Sequence, residues 1–166
     1  MEDTDLLLTI AEIAVAFAGF SGLVTILGQR AGRVHPQLVE HTLRGMILSS
    51  LLVVAFSLFP FLPYRLGAPA DVAWRISAAA YSVALAAYLY STAARRREMA
   101  RSGVAGALSG TVLLGAAIAI LSMSGLLLLA AGLVGPGLYL FALFSGLFAA
   151  GVLFFTVFMS LVPGRE

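Results

Sequence analysis

From Val104 to Val162 the chain contains no Asp, Glu, Lys, Arg or His. A helix rises about 1.5 Å per residue, so this run is far too long for a single passage through a hydrocarbon layer of about 30 Å. The strongest helix breaker within the run is Gly135-Pro136-Gly137. The run therefore predicts two adjacent membrane-spanning helices, one on each side of that breaker.

The composition of the whole chain favours lipid as its solvent. Of its 166 residues, 61% are hydrophobic and 11% are charged, and the mean hydropathy is +1.02. Soluble domains are about 45–50% apolar and about 25% charged, and a small soluble domain still exposes much of its surface. We therefore expect an all-α fold, a polytopic integral membrane helical bundle that forms a single membrane domain over residues 1–166.

Five apolar segments reach the roughly 20 residues that a transmembrane helix needs. These segments cover about 6–28, 43–63, 72–94, 106–134 and 138–162. Pro36 suits the first position of a helix, so the second helix is expected to begin outside the membrane. Pro60 and Pro63 are expected to end or kink its apolar part. The acidic N-terminus lacks the basic region of a secretory signal, so we expect the first helix to be retained.

Arginines concentrate in alternate connections between these segments. One side of the predicted bundle has only Arg65 and Arg75. The other side holds Arg30, Arg33, Arg44, Arg95, Arg96, Arg97 and Arg101. Because cytoplasmic loops carry an excess of basic residues, the sequence predicts an N-terminus outside and a C-terminus in the cytoplasm. The set Arg95, Arg96, Arg97 and Arg101 is also a candidate contact for anionic lipid head groups.

Several kinds of chemistry are excluded by residues that the chain lacks. It has no Cys, and all ten of its basic residues are Arg, so thiol catalysis, thiolate metal sites and lysine Schiff bases are ruled out. Both histidines, His35 and His41, lie outside the predicted spans, and a solvated loop explains them and Glu40 better than a metal site does. We expect no enzymatic activity, no cofactor, no metal site and no nucleic-acid partner, since topology already accounts for the arginines.

Glu12 is the one acidic residue well inside a predicted span. A charge at such a depth is costly, and intramembrane acids usually face a bundle interior or a water-filled cavity and mark a pathway or relay. At 100° per residue, a set of side chains falls within about 60° of Glu12 on the same helical face. That set includes Asp5, Val15, Gly19, Leu23, Ile26 and Arg30.

In a homo-oligomer this face would line a pore. Rings of Asp5 and Glu12 would attract cations, and the apolar middle would gate the pore by dewetting. The pattern predicts a homo-oligomeric, cation-conducting channel or pore-like transport protein whose partners are lipids, cations and its own copies. The Ala, Gly and Arg bias without Lys favours a bacterial source, and hence a bacterial inner membrane.

A structural interpretation of Glu12 stands beside this one. Arg75 lies one turn into the third span, on the same predicted side, and a Glu12–Arg75 pair would neutralise the acid within one subunit. A protonated Glu12 that only donates a hydrogen bond is a third option. Either would suit a non-transporting protein, such as an accessory subunit or a binder of lipid or another apolar ligand.

Small residues recur at every fourth position in two spans. In the first span they are Ala14, Ala18 and Gly22, and in the fifth they are Ala142, Gly146 and Ala150. Such stripes allow helices to approach closely where no hydrophobic effect draws them together. We expect both stripes to be packing faces.

Overall fold

The computed structural model describes residues 4–31, 36–101 and 109–161, and in parts of these ranges it describes the backbone alone. Within them the regular secondary structure is helical throughout, which confirms the all-α class predicted from the sequence. The helices are α1 (Thr4–Ala31), α2 (Pro36–Leu58), α3 (Phe61–Arg65), α4 (Ala70–Arg101), α5 (Ser109–Ala130) and α6 (Gly137–Leu161).

Two helical segments are long and apolar enough to cross a membrane, Arg44–Arg65 and Ala70–Ala94. Two shorter apolar helices are Ala117–Ala130 and Gly137–Val152. Length and composition of this kind are shared with the core helices of soluble proteins. The five spans, the single membrane domain and its orientation therefore stay predictions.

The chain divides into two compact units, and the first of them joins Met1–Leu58 with Gly146–Glu166. In this unit α1 packs along α2. The later part of α6 reaches α1 through aromatic rings, because Phe154 makes edge-to-face contacts with Phe17 and Phe20 at centroid distances of 6.4 and 6.3 Å. The first unit is thus built from α1, α2 and the second half of α6.

The second unit, Phe59–Ser145, has an aromatic core. The ring of Tyr139 on α6 lies 5.4 Å from that of Trp74 and 5.8 Å from that of Tyr81, both on α4. All three side chains are buried, with exposed fractions of 7% or less. Edge-to-face pairs of this kind stabilise beyond the area they bury. They fix the start of α6 against α4.

Two glycines end helices in this unit, and they are the positive-φ residues of the described ranges. Gly132 has a φ of +76°, and Gly67 has a φ of +93°. After α5, the N–H of Leu133 donates to Leu128 O at 3.0 Å and that of Gly132 donates to Leu129 O at 2.9 Å. These bonds form a Schellman motif, which satisfies the last carbonyls of the helix. As a result α5 ends at Ala130, before the boundary near residue 134 that the apolar pattern suggested.

The apolar stretch of the second predicted span is likewise interrupted. α2 begins at Pro36, as the fixed φ of proline favours, but it ends at Leu58. The short helix α3 follows, and the N–H of Ala68 donates to Pro63 O at 3.0 Å around Gly67. Pro60 and Pro63 cannot donate backbone hydrogen bonds to the preceding turn, which explains the break between α2 and α3.

Replacing Gly132 by Ala is expected to destabilise the second unit by about 1–2 kcal/mol, because an L side chain is strained at this φ. The added Cβ would also lie 3.1 Å from the Cζ of Arg75, which must move. Unfolding in mixed micelles titrated with a denaturing detergent measures the loss. Gly135→Ala is the control, since nothing lies within 4 Å of its added Cβ. If Gly132→Ala and Gly135→Ala destabilised the protein equally, the strain that we assign to the positive φ of Gly132 would be contradicted.

Candidate functional site

Helix α1 has one face that is buried in the chain. Leu7, Ile10 and Ala14 are fully buried, and Ala11 is 7% exposed. The i, i+3, i+4, i+7 spacing of these four residues forms a single helical stripe. This stripe includes Ala14, the first residue of the small-residue pattern. Ala18 is half-buried and Gly22 is exposed, so the pattern marks a packing face at Ala14 and not along its whole length.

The opposite face of α1 is exposed, and it contains the residues predicted to line a pathway. Asp5, Glu12, Val15, Gly19 and Leu23 are all exposed. At 100° per residue, the buried Ile10 and Ala14 lie about 160° around the helix from Glu12. The two remaining members of the predicted set, Ile26 and Arg30, belong to α1 by their backbone, and their side chains lie outside the described residues.

The neighbours of Glu12 on this face are apolar. Leu8 is 42% exposed, and Val15 and Leu23 are each 57% exposed. No ion pair to Glu12 is formed by the described residues of its own unit. The site is therefore an exposed carboxylate whose described neighbours within one or two turns include the apolar side chains of Leu8 and Val15.

Asp5 has a structural reason for its position as well. It lies in the first turn of α1, where a negative charge interacts favourably with the positive end of the helix dipole. Its backbone carbonyl accepts a hydrogen bond of 2.9 Å from the hydroxyl of Thr9. Asp5 thus stabilises the N-terminal turn and presents its carboxylate on the same face as Glu12, two turns away.

Arg75, the predicted partner of Glu12, has a defined contact within the second unit. Its Nε donates to the backbone O of Ala130 at 3.2 Å, and its guanidinium lies against Gly132. A cation placed there donates a hydrogen bond to a carbonyl in the last turn of α5 and interacts favourably with the negative end of that helix's dipole. Arg75 and Glu12 belong to different units, and their pairing stays a prediction. The capping contact joins residues on different helices, and nothing in the sequence pattern signals it.

The remaining predicted sites fall mostly on side chains that the structure does not describe. Arg97 is exposed near the end of α4, whereas the side chains of Arg95, Arg96 and Arg101 lie outside the described residues, as do His35 and those of Glu40 and His41. Among described residues, no group of three or more His, Cys, Asp or Glu forms a candidate metal site. Contact with lipid head groups stays a prediction.

One polar feature was not selected by the sequence pattern. Ser50 and Ser57 are completely buried on α2, and the hydroxyl of each makes no hydrogen bond within the part of the chain that the structure describes. The sequence shows serines at these positions, but burial and the lack of an acceptor are properties of the fold.

Comparisons of the chain with protein-family models, with curated proteins and with solved structures find no match. The geometry of α1 is therefore the basis from which a function can be inferred. That geometry combines a buried face of small and aliphatic residues with an exposed face that carries Asp5 and Glu12.

Proposed function

We propose that the chain is a non-catalytic, homo-oligomeric membrane transport protein of a bacterial inner membrane, a cation-conducting channel or pore whose pathway is lined by α1. The observation that carries the proposal is the exposure of the Glu12 face on the side of α1 opposite to its buried stripe. The chain itself does not cover this face. In an oligomer of identical subunits, we would expect such a face to point towards the symmetry axis.

The lengths of the helices support the membrane part of the proposal. The five long helices contain 22 to 32 residues. At about 1.5 Å per residue, even the shortest reaches about 33 Å and matches a hydrocarbon core of about 30 Å. With the arginine distribution, these lengths support five spans, an outer N-terminus and a cytoplasmic C-terminus.

The exposed carboxylate supports the oligomeric part. A charged side chain facing lipid is costly, and intramembrane acids are found against other protein or in water-filled cavities. A closed ring of identical subunits meets this requirement, because each copy presents the same face towards the axis. Glu12 would then border an aqueous lumen rather than lipid.

The order of residues along the face suggests how the pathway would work. Asp5 and Glu12 form two acidic rings that raise the local concentration of cations. Val15 and Leu23 follow towards the inside, and a ring of such apolar side chains gates by losing its water. Gly19, between them, allows the helices to approach closely. Ile26 and Arg30 continue the face in the sequence.

An accessory subunit or a binder of lipid or another apolar ligand is the second candidate, since a different partner would cover the same exposed face. In that case Glu12 pairs structurally, with Arg75 or with a group on the partner. The bond from Arg75 to Ala130 uses one of several guanidinium N–H donors, so the others stay available for a carboxylate.

Cross-linking of single-cysteine variants distinguishes the two candidates, because the chain has no cysteine of its own. Val15→Cys and Gly19→Cys place a thiol on the exposed face, and Ile10→Cys and Ala14→Cys place it on the buried stripe as controls. A short bifunctional thiol reagent added to membranes is expected to link copies of the first pair and not of the second. A monomeric mass in mild detergent with no cross-linking at either face would refute the homo-oligomer.

A further inference from the structure

Contacts between helices bring the turn after α3 and the turn after α5 to the same end of the second unit. α3 packs against α4, which begins shortly after it. One turn into α4, Arg75 donates its hydrogen bond to the O of Ala130, the last residue of α5. These segments, α3 with residues 66–69 and 131–136, form the loop end of the second unit.

The loop end has large hydrophobic side chains on its surface. Leu62, Leu66 and Leu133 have exposed fractions of 58%, 80% and 71%. The ring of Tyr64 is exposed as well. Single apolar side chains are common on the surfaces of proteins, whereas several in one place usually mark an interaction surface. The three leucines therefore indicate that something other than bulk water covers the loop end.

The backbone of both turns is hydrogen-bonded within the chain. The N–H groups of residues 66–68 donate to carbonyls four, three and five residues earlier, and those of residues 131–133 repeat this pattern, all at 2.9 to 3.1 Å. Pro63, Pro69 and Pro136 have no N–H that needs an acceptor. Backbone groups can lie outside water only where they are satisfied in this way. Both turns thus meet the condition for contact with a less polar medium.

Two cations are exposed at the same end of the unit. Arg65 is the last residue of α3, and Arg75 uses its Nε for Ala130, so its two NH2 groups stay available to other acceptors. The exposed Asp71, in the first turn of α4, offsets only one of the two charges. The complementary charge is therefore anionic, and the planar guanidinium group suits phosphate oxygens.

We propose that the loop end lies in the head-group layer of a phospholipid bilayer, where its three leucines enter the acyl-chain boundary and Arg65 and Arg75 bind lipid phosphates. Aromatic and basic side chains are the usual anchors in this layer. The loop end also joins Arg44–Arg65 to Ala70–Ala94, the two segments that are long and apolar enough to cross a membrane. The inference rests on the membrane part of the proposed function and not on Glu12 facing a pore.

Fluorescence quenching in vesicles tests this position, because the chain has no cysteine of its own. Leu66→Cys and Leu133→Cys remove little packing, and each is labelled with bimane and reconstituted in phosphatidylcholine. A nitroxide near the head of the lipid's acyl chain is expected to quench both labels more strongly than a nitroxide near the chain's end. Iodide in the water is expected to quench them several-fold less than it quenches bimane on free cysteine.

Val83→Cys separates a failure of this inference from a failure of the membrane assignment. Val83 is exposed and lies about 20 Å along α4 from its start, so the deeper nitroxide should quench its label best. If lipid quenches that label while iodide reaches positions 66 and 133 as freely as free bimane, the loop end lies in water and the inference is wrong. Quenching of those two by neither agent would also overturn it, since a second copy or another protein would then cover them. No lipid quenching at any of the three positions would contradict the membrane assignment itself.

Mixed vesicles of phosphatidylglycerol and phosphatidylcholine test the contribution of the arginines. The label at position 66 is quenched in turn by a nitroxide on each lipid. The anionic lipid should quench more strongly by up to about fivefold, the factor that one cation contributes near an anionic surface. Arg65→Gln should lower this ratio towards one, and Arg65→Lys, which keeps the charge, should retain most of it. A ratio of one with Arg65 in place would refute phosphate binding at the loop end.

Discussion

Replacing Glu12 by Gln is expected to lower cation flux through protein-containing liposomes by about tenfold or more, the lower end of the range by which clefts of one charge sign concentrate counter-ions. Gln keeps the size and polarity of the side chain and removes its charge, so the loss isolates the electrostatic contribution of the proposed Glu12 ring. Separate fluxes of potassium and chloride measure it. The cation flux should fall while the chloride flux does not, so that selectivity declines with conductance.

Two controls determine whether the effect belongs to the ring. Glu12→Asp keeps the charge and should retain cation selectivity. Asp71→Asn removes an exposed acid from the first turn of α4, a helix that the proposal does not place in the pathway, and should leave both fluxes unchanged. The difference in cation flux between the unaltered protein and Glu12→Gln should also become smaller at about 1 M salt, because the Debye length there is only about 3 Å. Unchanged selectivity in Glu12→Gln would refute the role of this residue in a pathway.

Periodicity predicted which residues share a face of α1, but not where that face points. Leu7 and Ile10 are buried, whereas Leu8, Val15 and Leu23 are exposed. Aliphatic residues therefore occupy both sides, and hydrophobicity cannot separate inside from outside in a helix of this kind. Residue size does not separate the two sides either, because Ala11 and Ala14 are buried whereas Ala16, Gly19 and Gly22 are exposed.

Helix ends were less predictable than helices. Apolar composition indicated helical segments on both sides of Gly135-Pro136-Gly137, and α5 and α6 occupy them. The end of α5 depends instead on Gly132 adopting a positive φ, which no hydropathy pattern reveals. The contact of Arg75 with Ala130 is harder still to predict, since it joins residues that are 55 positions apart in the chain and lie on two different helices. The sequence could therefore identify the charged residue but not the carbonyl it caps.

Replacing Tyr139 by Ala is expected to lower the unfolding free energy by about 3–5 kcal/mol, the usual cost of removing a large buried aromatic side chain. Tyr139 is fully buried and is the shared member of two edge-to-face pairs, so its loss removes the contacts of both Trp74 and Tyr81 and leaves a cavity. Unfolding by a denaturing detergent in mixed micelles measures the change.

Two further substitutions show whether the ring itself is responsible. Tyr139→Phe keeps both aromatic contacts and should cost much less than Tyr139→Ala. Phe141→Ala removes a ring of similar size from the same helix, but from a side chain that is 42% exposed, so its cost should also be small. If Phe141→Ala destabilised as strongly as Tyr139→Ala, the start of α6 would be held by its exposed face, and the aromatic core could not be what fixes α6 to α4.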